Sequence, residues 1–339
     1  MKTAEQTLPT IANSRSYMQA MCYDKYKGIE ALELRKVEQP QPKAHEVLIR
    51  VHATSINSWD WDLLRGSPFI VRMDGLFKPG HKVLGADVAG RVEAVGSQVK
   101  SFSPGDEVYG DLSSYHWGGF AEYVCADASL LALKSKVMSF EEAAAIPQAG
   151  VLALQGLRDF GEIKAGQQVL INGAGGGVGT FAVQLARYYE VEVIAVDNGA
   201  KLNLARRLGA DMVMDGEHLD YCRIGKPYDL ILDPVANKHM RAYAAALKAK
   251  GIFVLVGGAS NTILQAFSLG QWISWQGSKK IRLLMHKPKA QDLEYMNVLY
   301  EAGVVKPVID RVYPLHQLRE AFRYYVSGRV MGKIGIRVQ

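Results

Sequence analysis

The sequence predicts a two-domain α/β protein, a β-rich domain followed by a Rossmann-type, doubly wound parallel sheet. Three observations predict it. The 339 residues are about twice the length of an ordinary domain. The first third is punctuated by Pro and Gly and patterned for short strands. From Ser139 onward, strand-like and helix-like segments alternate.

The elements follow in order. Residues 1–16 (MKTAEQTLPTIANSRS) are polar, lack the apolar centre of a secretory signal and read as a flexible tail, so a cytoplasmic location is expected. The β-rich domain is expected over 17–138. Within it Glu46–Ala53 is rich in β-formers and Gly90–Gly96 alternates, with turns at Gln39–Pro42, Lys78–Gly80 and Pro104–Asp106. Ser139, with Glu142 three residues on, has the form of a capping box and opens the second domain, expected over 139–276. Its strands are expected at Gln168–Asn172, Val191–Val196, Tyr228–Asp233 and Gly251–Gly257. Its helices are expected at Gly179–Tyr189, Lys201–Leu208 and Ala242–Lys250. Residues 277–339 hold a further helix, a turn at Lys306–Pro307 and a β-like run Lys333–Val338.

Composition excludes several classes. Apolar residues at 48% and charged residues at 22% are ordinary for a globular chain. No stretch approaches the ~18 apolar residues of a membrane helix, so no membrane partner is expected. The net charge of +6 is dispersed, with only short clusters such as Arg206-Arg207 and Lys279-Lys280. Nucleic acid is therefore not an expected partner, although mild positive charge favours a phosphate-bearing cofactor. Cys22, Cys125 and Cys222 lie about a hundred residues apart, and the eight histidines are scattered. Neither a disulfide framework nor a local zinc cage is expected.

The sharpest motif is the run Gly173-Ala174-Gly175-Gly176-Gly177-Val178-Gly179, placed after a strand and opening a helix. Glycines permit the tight turn and let backbone N–H groups approach a pyrophosphate, and the helix N-terminus adds partial positive charge. The G-x-G-x-x-G fingerprint fits with Ala174 in its first position and Gly176 and Gly179 in the others. No Gly-Lys-Ser/Thr follows, which excludes a P-loop nucleotidase. Asp197 ends the next strand, eighteen residues after Gly179, where a carboxylate receives ribose hydroxyls and repels a 2′-phosphate. The cofactor is expected to be NAD(H) or NADP(H), leaning to NAD(H). Asn198 is neutral to the choice, and Lys201 would pair with a phosphate if Asp197 turned away. Asp197 capping a helix from about Gly199 is the alternative. Asp233, Gly257 and Gly258 end later strands, where ligands of such sheets bind, and Lys333 is a late contact or a solvated strand end.

The chain also carries Ala174–Ala186 (AGGGVGTFAVQLA), Ala53-Thr54-Ser55-Ile56-Asn57 with Asp60, and Gly85-Ala86-Asp87-Val88-Ala89-Gly90. Pro104–Gly110 and Gly119–Tyr123 continue the series. In this order, over about residues 17–339, the motifs resemble the medium-chain dehydrogenase/reductase superfamily, and within it the zinc-free quinone oxidoreductase branch with its enone and alkenal reductases. The resemblance implies a GroES-like first domain, to which 277–339 returns, and hydride transfer to a quinone, enone or alkenal. Where zinc-dependent members hold Cys, His and Cys, this chain has Asn57, Ala86 and, by approximate alignment, Gln148, so no zinc is expected. The resemblance puts Asn57 beside the nicotinamide as a donor to the substrate carbonyl, or else as a loop amide bonding its own backbone.

Asp60 is read as the cap of a helix Trp61–Arg65 in preference to an acid, and Asp87 as a structural hydrogen-bonding residue. Trp59 and Trp61 line a pocket or the core. Tyr115, His116 and Trp117 are expected to face the cleft, with Tyr115 or His116 as proton donor, or else solvent supplies the proton. Leu152 stands where relatives carry a cofactor-touching Thr. Relatives dimerise through an edge of the nucleotide domain, and the apolar Phe267–Trp275 lies there, so a homodimer is expected unless that segment is core. Two other functions remain open: a non-catalytic nucleotide-binding scaffold, and an alcohol dehydrogenase with an atypical metal site.

Overall fold

Strand Glu46–Ser55 (EVLIRVHATS) is the spine of the first sheet, with only Arg50 and His52 not buried. Its Val and Ile side chains suit a strand covered on both faces. It pairs antiparallel with Asp87–Val95 and Tyr123–Asp127, and its last residues pair with Lys333–Arg337. This computed structural model describes residues 16–73, 75–224 and 227–339. The seven-stranded sheet runs Ile309–Pro314, Lys333–Arg337, Glu46–Ser55, Asp87–Val95, Glu107–Asp111, Leu131–Leu133, with Tyr123–Asp127 joining Glu46–Ser55. Two of its strands come from the end of the chain, so the C-terminal segment returns to the first domain.

The second sheet has six parallel strands in the order Met212–Asp215, Glu192–Asp197, Gln168–Asn172, Tyr228–Asp233, Leu247–Leu255, Lys280–Leu283. Strand order reverses between Gln168–Asn172 and Tyr228–Asp233, the switch point where such sheets open a crevice for ligands. Helix Pro147–Gln155, buried at eight of nine positions, packs between the first sheet and helices Gly177–Tyr188 and Ala290–Glu301. One apolar core joins them, with Ala53, Ala89 and Tyr109 of the first sheet beside Ala149, Leu154, Phe181 and Leu293.

Several elements differ from the sequence reading. The helix after the glycine run begins at Gly177 and ends at Tyr188. The helix Met240–Ala246 stops early, and the expected helical tail is already strand Leu247–Leu255. Leu247 already pairs with Tyr228 of the parallel sheet, and Lys250 takes a left-handed backbone (φ 66°), which no helix accommodates. The edge strand Met212–Asp215 is too short to stand out in sequence. Strand Lys280–Leu283 continues the parallel sheet past residue 276. The tail residues 1–15 lie outside the described residues.

Candidate active site

The glycine turn is pulled tight by its own backbone. Gly176 N–H donates to Gly173 O at 3.0 Å, and Ala174 N–H to Val196 O at 3.1 Å. A Cβ on Gly179 would lie 2.0 Å from Gly173 O and 2.6 Å from Ala174 Cα, so only glycine lets the helix approach this closely. The N–H groups of Gly177, Val178 and Gly179 have no partner within the helix by its geometry. Gly173 and Gly176–Gly179 line a cleft of about 390 Å³, and the helix dipole aims its positive end there. Ala174, fully buried, and Gly175 shape the turn and are outside the cleft wall.

Asp197 lines the same cleft. Its Oδ2 accepts from Gly175 N at 2.8 Å and its Oδ1 from Asn198 N at 2.8 Å, with Lys201 Nζ 3.9 Å away. The carboxylate is thus held by the glycine turn, and the following short helix Gly199–Lys201 has no side-chain cap. Asn198 Oδ1 and Gln148 Nε2 are buried without a hydrogen-bond partner, and both residues line the cleft. Buried polar atoms seldom stay unpaired. These two therefore await a polar ligand, and a dinucleotide fits the cradle between them.

Asp233 is a correction. It is fully buried and outside the cleft wall, accepting from Asn172 Nδ2 (2.8 Å), Val235 N (2.9 Å) and Ala236 N (2.7 Å). Burial holds its carboxyl above the usual range despite those donors. It shapes the Pro234-Val235 turn, which does line the cleft. Gly257 and Gly258 also miss the wall and support the same turn, their missing Cβ atoms leaving room for Pro234 O and Ala236 O.

At the other end lies a buried polar network. Lys333 Nζ donates to Ile56 O (3.1 Å), to Asn57 Oδ1 and to Asp87 Oδ2 (3.3 Å). Asn57 Nδ2 donates to Asp87 Oδ2 at 2.8 Å, Ser55 Oγ donates to the same oxygen, and Gln148 N donates to Asp87 Oδ1 at 2.9 Å. Lys333 and Asp87 are 2% and 0% exposed, an ion pair with nearly every bonding site used. Burial raises the Asp87 carboxyl and the Lys333 ammonium pulls it back. Lys333 is thus no solvated strand end. Its backbone neighbour Gly332 donates to Gly175 O at 2.8 Å, so two consecutive residues tie the glycine turn to Asn57.

Asn57 is the N-cap of helix Ser58–Arg65, and Asp60 is the reciprocal partner rather than the cap. Asp60 is fully buried, accepting from Asn57 N (2.8 Å) and Gly85 N (3.0 Å). Loss of solvation outweighs both donors and pushes its carboxyl up to about 7.

Tyr115 and His116 are the second correction. Tyr115 Oη donates to Glu46 Oε1 at 2.6 Å and sits 3.1 Å from His45 Nε2. Glu46 opens the strand whose far end precedes Asn57, so the Tyr115 phenol is turned to the opposite end of that strand. His116 and Trp117 line a different cavity, beside Val124 and Cys125. Neither Tyr115 nor His116 is part of the cleft wall. Trp59 stands edge-on to Trp117, and Trp61 packs on Phe322. Leu152 does line the cleft, with Ile56, Ser58 and Tyr325. No sequence signal marks Tyr325, which the C-terminal return brings in.

Comparisons with known proteins agree with this layout. Family models described as an alcohol dehydrogenase GroES-like domain and a zinc-binding dehydrogenase match residues 43–136 and 208–334. The chain is 32% identical over 329 residues to a chloroplast envelope quinone oxidoreductase homolog of Arabidopsis thaliana, covering 94% of this chain and 97% of that protein. It is 32% identical over 332 residues to a 2-methylene-furan-3-one reductase of Solanum lycopersicum, covering 95% and 79%. Among solved structures it matches the quinone oxidoreductase from Coxiella burnetii with a TM-score of 0.86 and 28% identity, covering 96% of this chain and 100% of that one.

Proposed function

The chain belongs to the quinone oxidoreductase and enone reductase branch of the medium-chain dehydrogenase/reductase superfamily, and from that membership we propose that it reduces conjugated carbonyl compounds at Asn57 without zinc. It is an NAD(P)H oxidoreductase. When bound, the reduced nicotinamide supplies the hydride. The protein's own part is to bind, orient and polarise.

One observation carries the reading: the Asn57 amide is locked. Its oxygen can only accept and faces the Lys333 ammonium; its nitrogen can only donate and faces Asp87. One Nδ2 proton is thereby used and the second is left for a ligand. A carbonyl oxygen accepting it gains negative charge as hydride arrives on the conjugated carbon, which strengthens the bond in the transition state. Lys333 lines the same cleft, and its ammonium is engaged by Ile56 O, Asn57 Oδ1 and Asp87 Oδ2, so its charge holds Asn57 and offsets Asp87. No described side chain is assigned as acid to the resulting enolate, and solvent delivers the proton.

The donor set does not suit zinc. Ala86 has no ligand atom, Asn57 Oδ1 is taken by an ammonium, and Gln148 offers only a weak amide oxygen. We read the cofactor as NAD(H), because the Asp197 carboxylate stands in the cleft wall and would repel a 2′-phosphate. Residues Gly176–Gly179 would hold the pyrophosphate, and Asn198 and Lys201 the adenosine end. We further read a cytoplasmic homodimer, joined at the exposed Phe267, Trp272 and Trp275. Sedimentation as a monomer would contradict the dimer.

The test is a turnover panel of NADH and NADPH against an alkenal, an enone, a quinone and a secondary alcohol, each with and without chelator. Saturable NADH oxidation by the conjugated acceptors, indifferent to chelator, is expected. Chelator-sensitive alcohol oxidation would instead favour the atypical metal enzyme, and binding without turnover the scaffold.

A further inference from the structure

The segment after helix Ser58–Arg65 carries an apolar surface that the catalytic reading leaves unexplained. Gly66, left-handed at φ 62°, ends that helix, and a short 3-10 turn Phe69–Arg72 follows. Phe69, Ile70, Met73 and Phe77 are 69%, 67%, 83% and 86% exposed, with Leu76 also exposed. Soluble proteins seldom leave so many large apolar side chains together in water unless something covers them.

The backbone beneath is pinned, which keeps these side chains turned outward. Tyr26 Oη donates to Gly75 O at 2.6 Å, and Arg72 Nε donates to Gly66 O at 2.8 Å. The Arg72 guanidinium also lies 4.7 Å over the Tyr26 ring. Exposed basic residues flank the patch, with the acid Asp24, paired to Arg35, beside Lys25. Lys78 and Lys82 follow it in sequence and are exposed, as are Lys25 and Lys27 on either side of Tyr26. Between Arg65 and Lys82 the chain carries Arg65, Arg72, Lys78 and Lys82 against the single acid Asp74.

We propose that this loop docks the enzyme on the surface of a bilayer containing anionic lipid. An apolar centre flanked by cationic residues matches the acyl boundary and the headgroups together, whereas a protein partner would not require that pairing. The loop leaves the C-terminal end of the helix whose first residue, Ser58, lines the cleft, about 12 Å away along the helix axis. On the reading above, an acceptor dissolved in the bilayer then has a short path to Asn57. Surface docking needs no spanning segment, and among the described residues no helix is long and apolar enough to cross a membrane. The absence of a long apolar stretch bears on spanning alone and leaves surface docking open.

Vesicle pelleting tests docking independently of turnover. Phosphatidylcholine vesicles with about 30% phosphatidylglycerol would be compared with pure phosphatidylcholine. The wild type should partition onto the anionic vesicles, and less so at about 0.5 M salt. The double variants F69S/F77S and K78E/K82E should each lose about tenfold or more in partition, with thermal midpoint and NADH affinity unchanged. Three results would overturn the proposal: no wild-type pelleting, variants that pellet equally well, or wild-type self-association in light scattering that F69S/F77S abolishes. The last would make a second copy the occupant.

Discussion

Lys333 and Asp87 leave the Asn57 amide one orientation, on which the proposed donation to the substrate depends. Asn57→Ala removes the free N–H and should lower kcat about 100-fold with little change in NADH affinity, read by steady-state kinetics and fluorescence titration. Asn57→Asp should be no better, since a carboxylate cannot donate. Equal loss of cofactor affinity would instead mark Asn57 as a merely structural cap. Asp60 gives a second, thermodynamic signature. Its carboxyl, ordinarily near 3.8, stands at about 7 in the fold. The folded state therefore holds the proton more tightly than the unfolded chain, and that contribution is full below the unfolded value and lost as pH rises through 7. The thermal midpoint should fall between about pH 4 and pH 7, and Asp60→Asn should flatten the fall; an unchanged slope would refute it. Asn57, Asp87 and Lys333 were legible because they sit inside short motifs or next to a glycine. Tyr115 and His116 were not, because a loop's direction depends on which strand it lies against.

Among elements, the unit from Gln168 to Asp197 supplies much of the cleft wall, where the cofactor is proposed to lie. Gly179→Ala would force a Cβ to within 2.0 Å of Gly173 O, moving the helix off the turn. We expect a loss of about 1–3 kcal/mol in stability, seen by denaturant unfolding. NADH affinity should fall by more than tenfold as the first-turn N–H groups shift away. The Asp197→Ser variant should raise the NADPH-to-NADH ratio of kcat/KM by about tenfold or more, if the carboxylate stands at the 2′ position as proposed. A ratio that stays put would assign cofactor choice to Lys201 and Asn198. This unit was the most readable part of the sequence, since glycines, periodicity and an acidic strand end coincide within thirty residues. Helix Met240–Ala246 was less so, because Ala and Lys continue the helical pattern past it while Leu247 pairs in the sheet and Lys250 turns left-handed.

For the whole molecule, the C-terminal return completes the site. Gly332 holds the glycine turn while Lys333 holds Asn57 and Asp87, so the last thirty residues join two domains and two halves of a cleft. A second tie lies between Asp111 of the first sheet and His286, which follows the last parallel strand, with Oδ2 and Nε2 2.6 Å apart and both side chains buried. The two-layer plan was legible from rhythm and turn residues. The contribution of Tyr325 and the exposed apolar loop were not, because each depends on contacts between segments far apart in sequence.

The most direct measurement is a stopped-flow comparison of NADH with NADH deuterated at the transferred position, using chelator-treated enzyme and a 2-alkenal. Zinc-free reduction of a conjugated carbonyl predicts saturable NADH oxidation, slowed by deuterium, that chelator leaves untouched. Bound NADH that no conjugated carbonyl oxidises, or oxidation that stops once metal is removed, would contradict it.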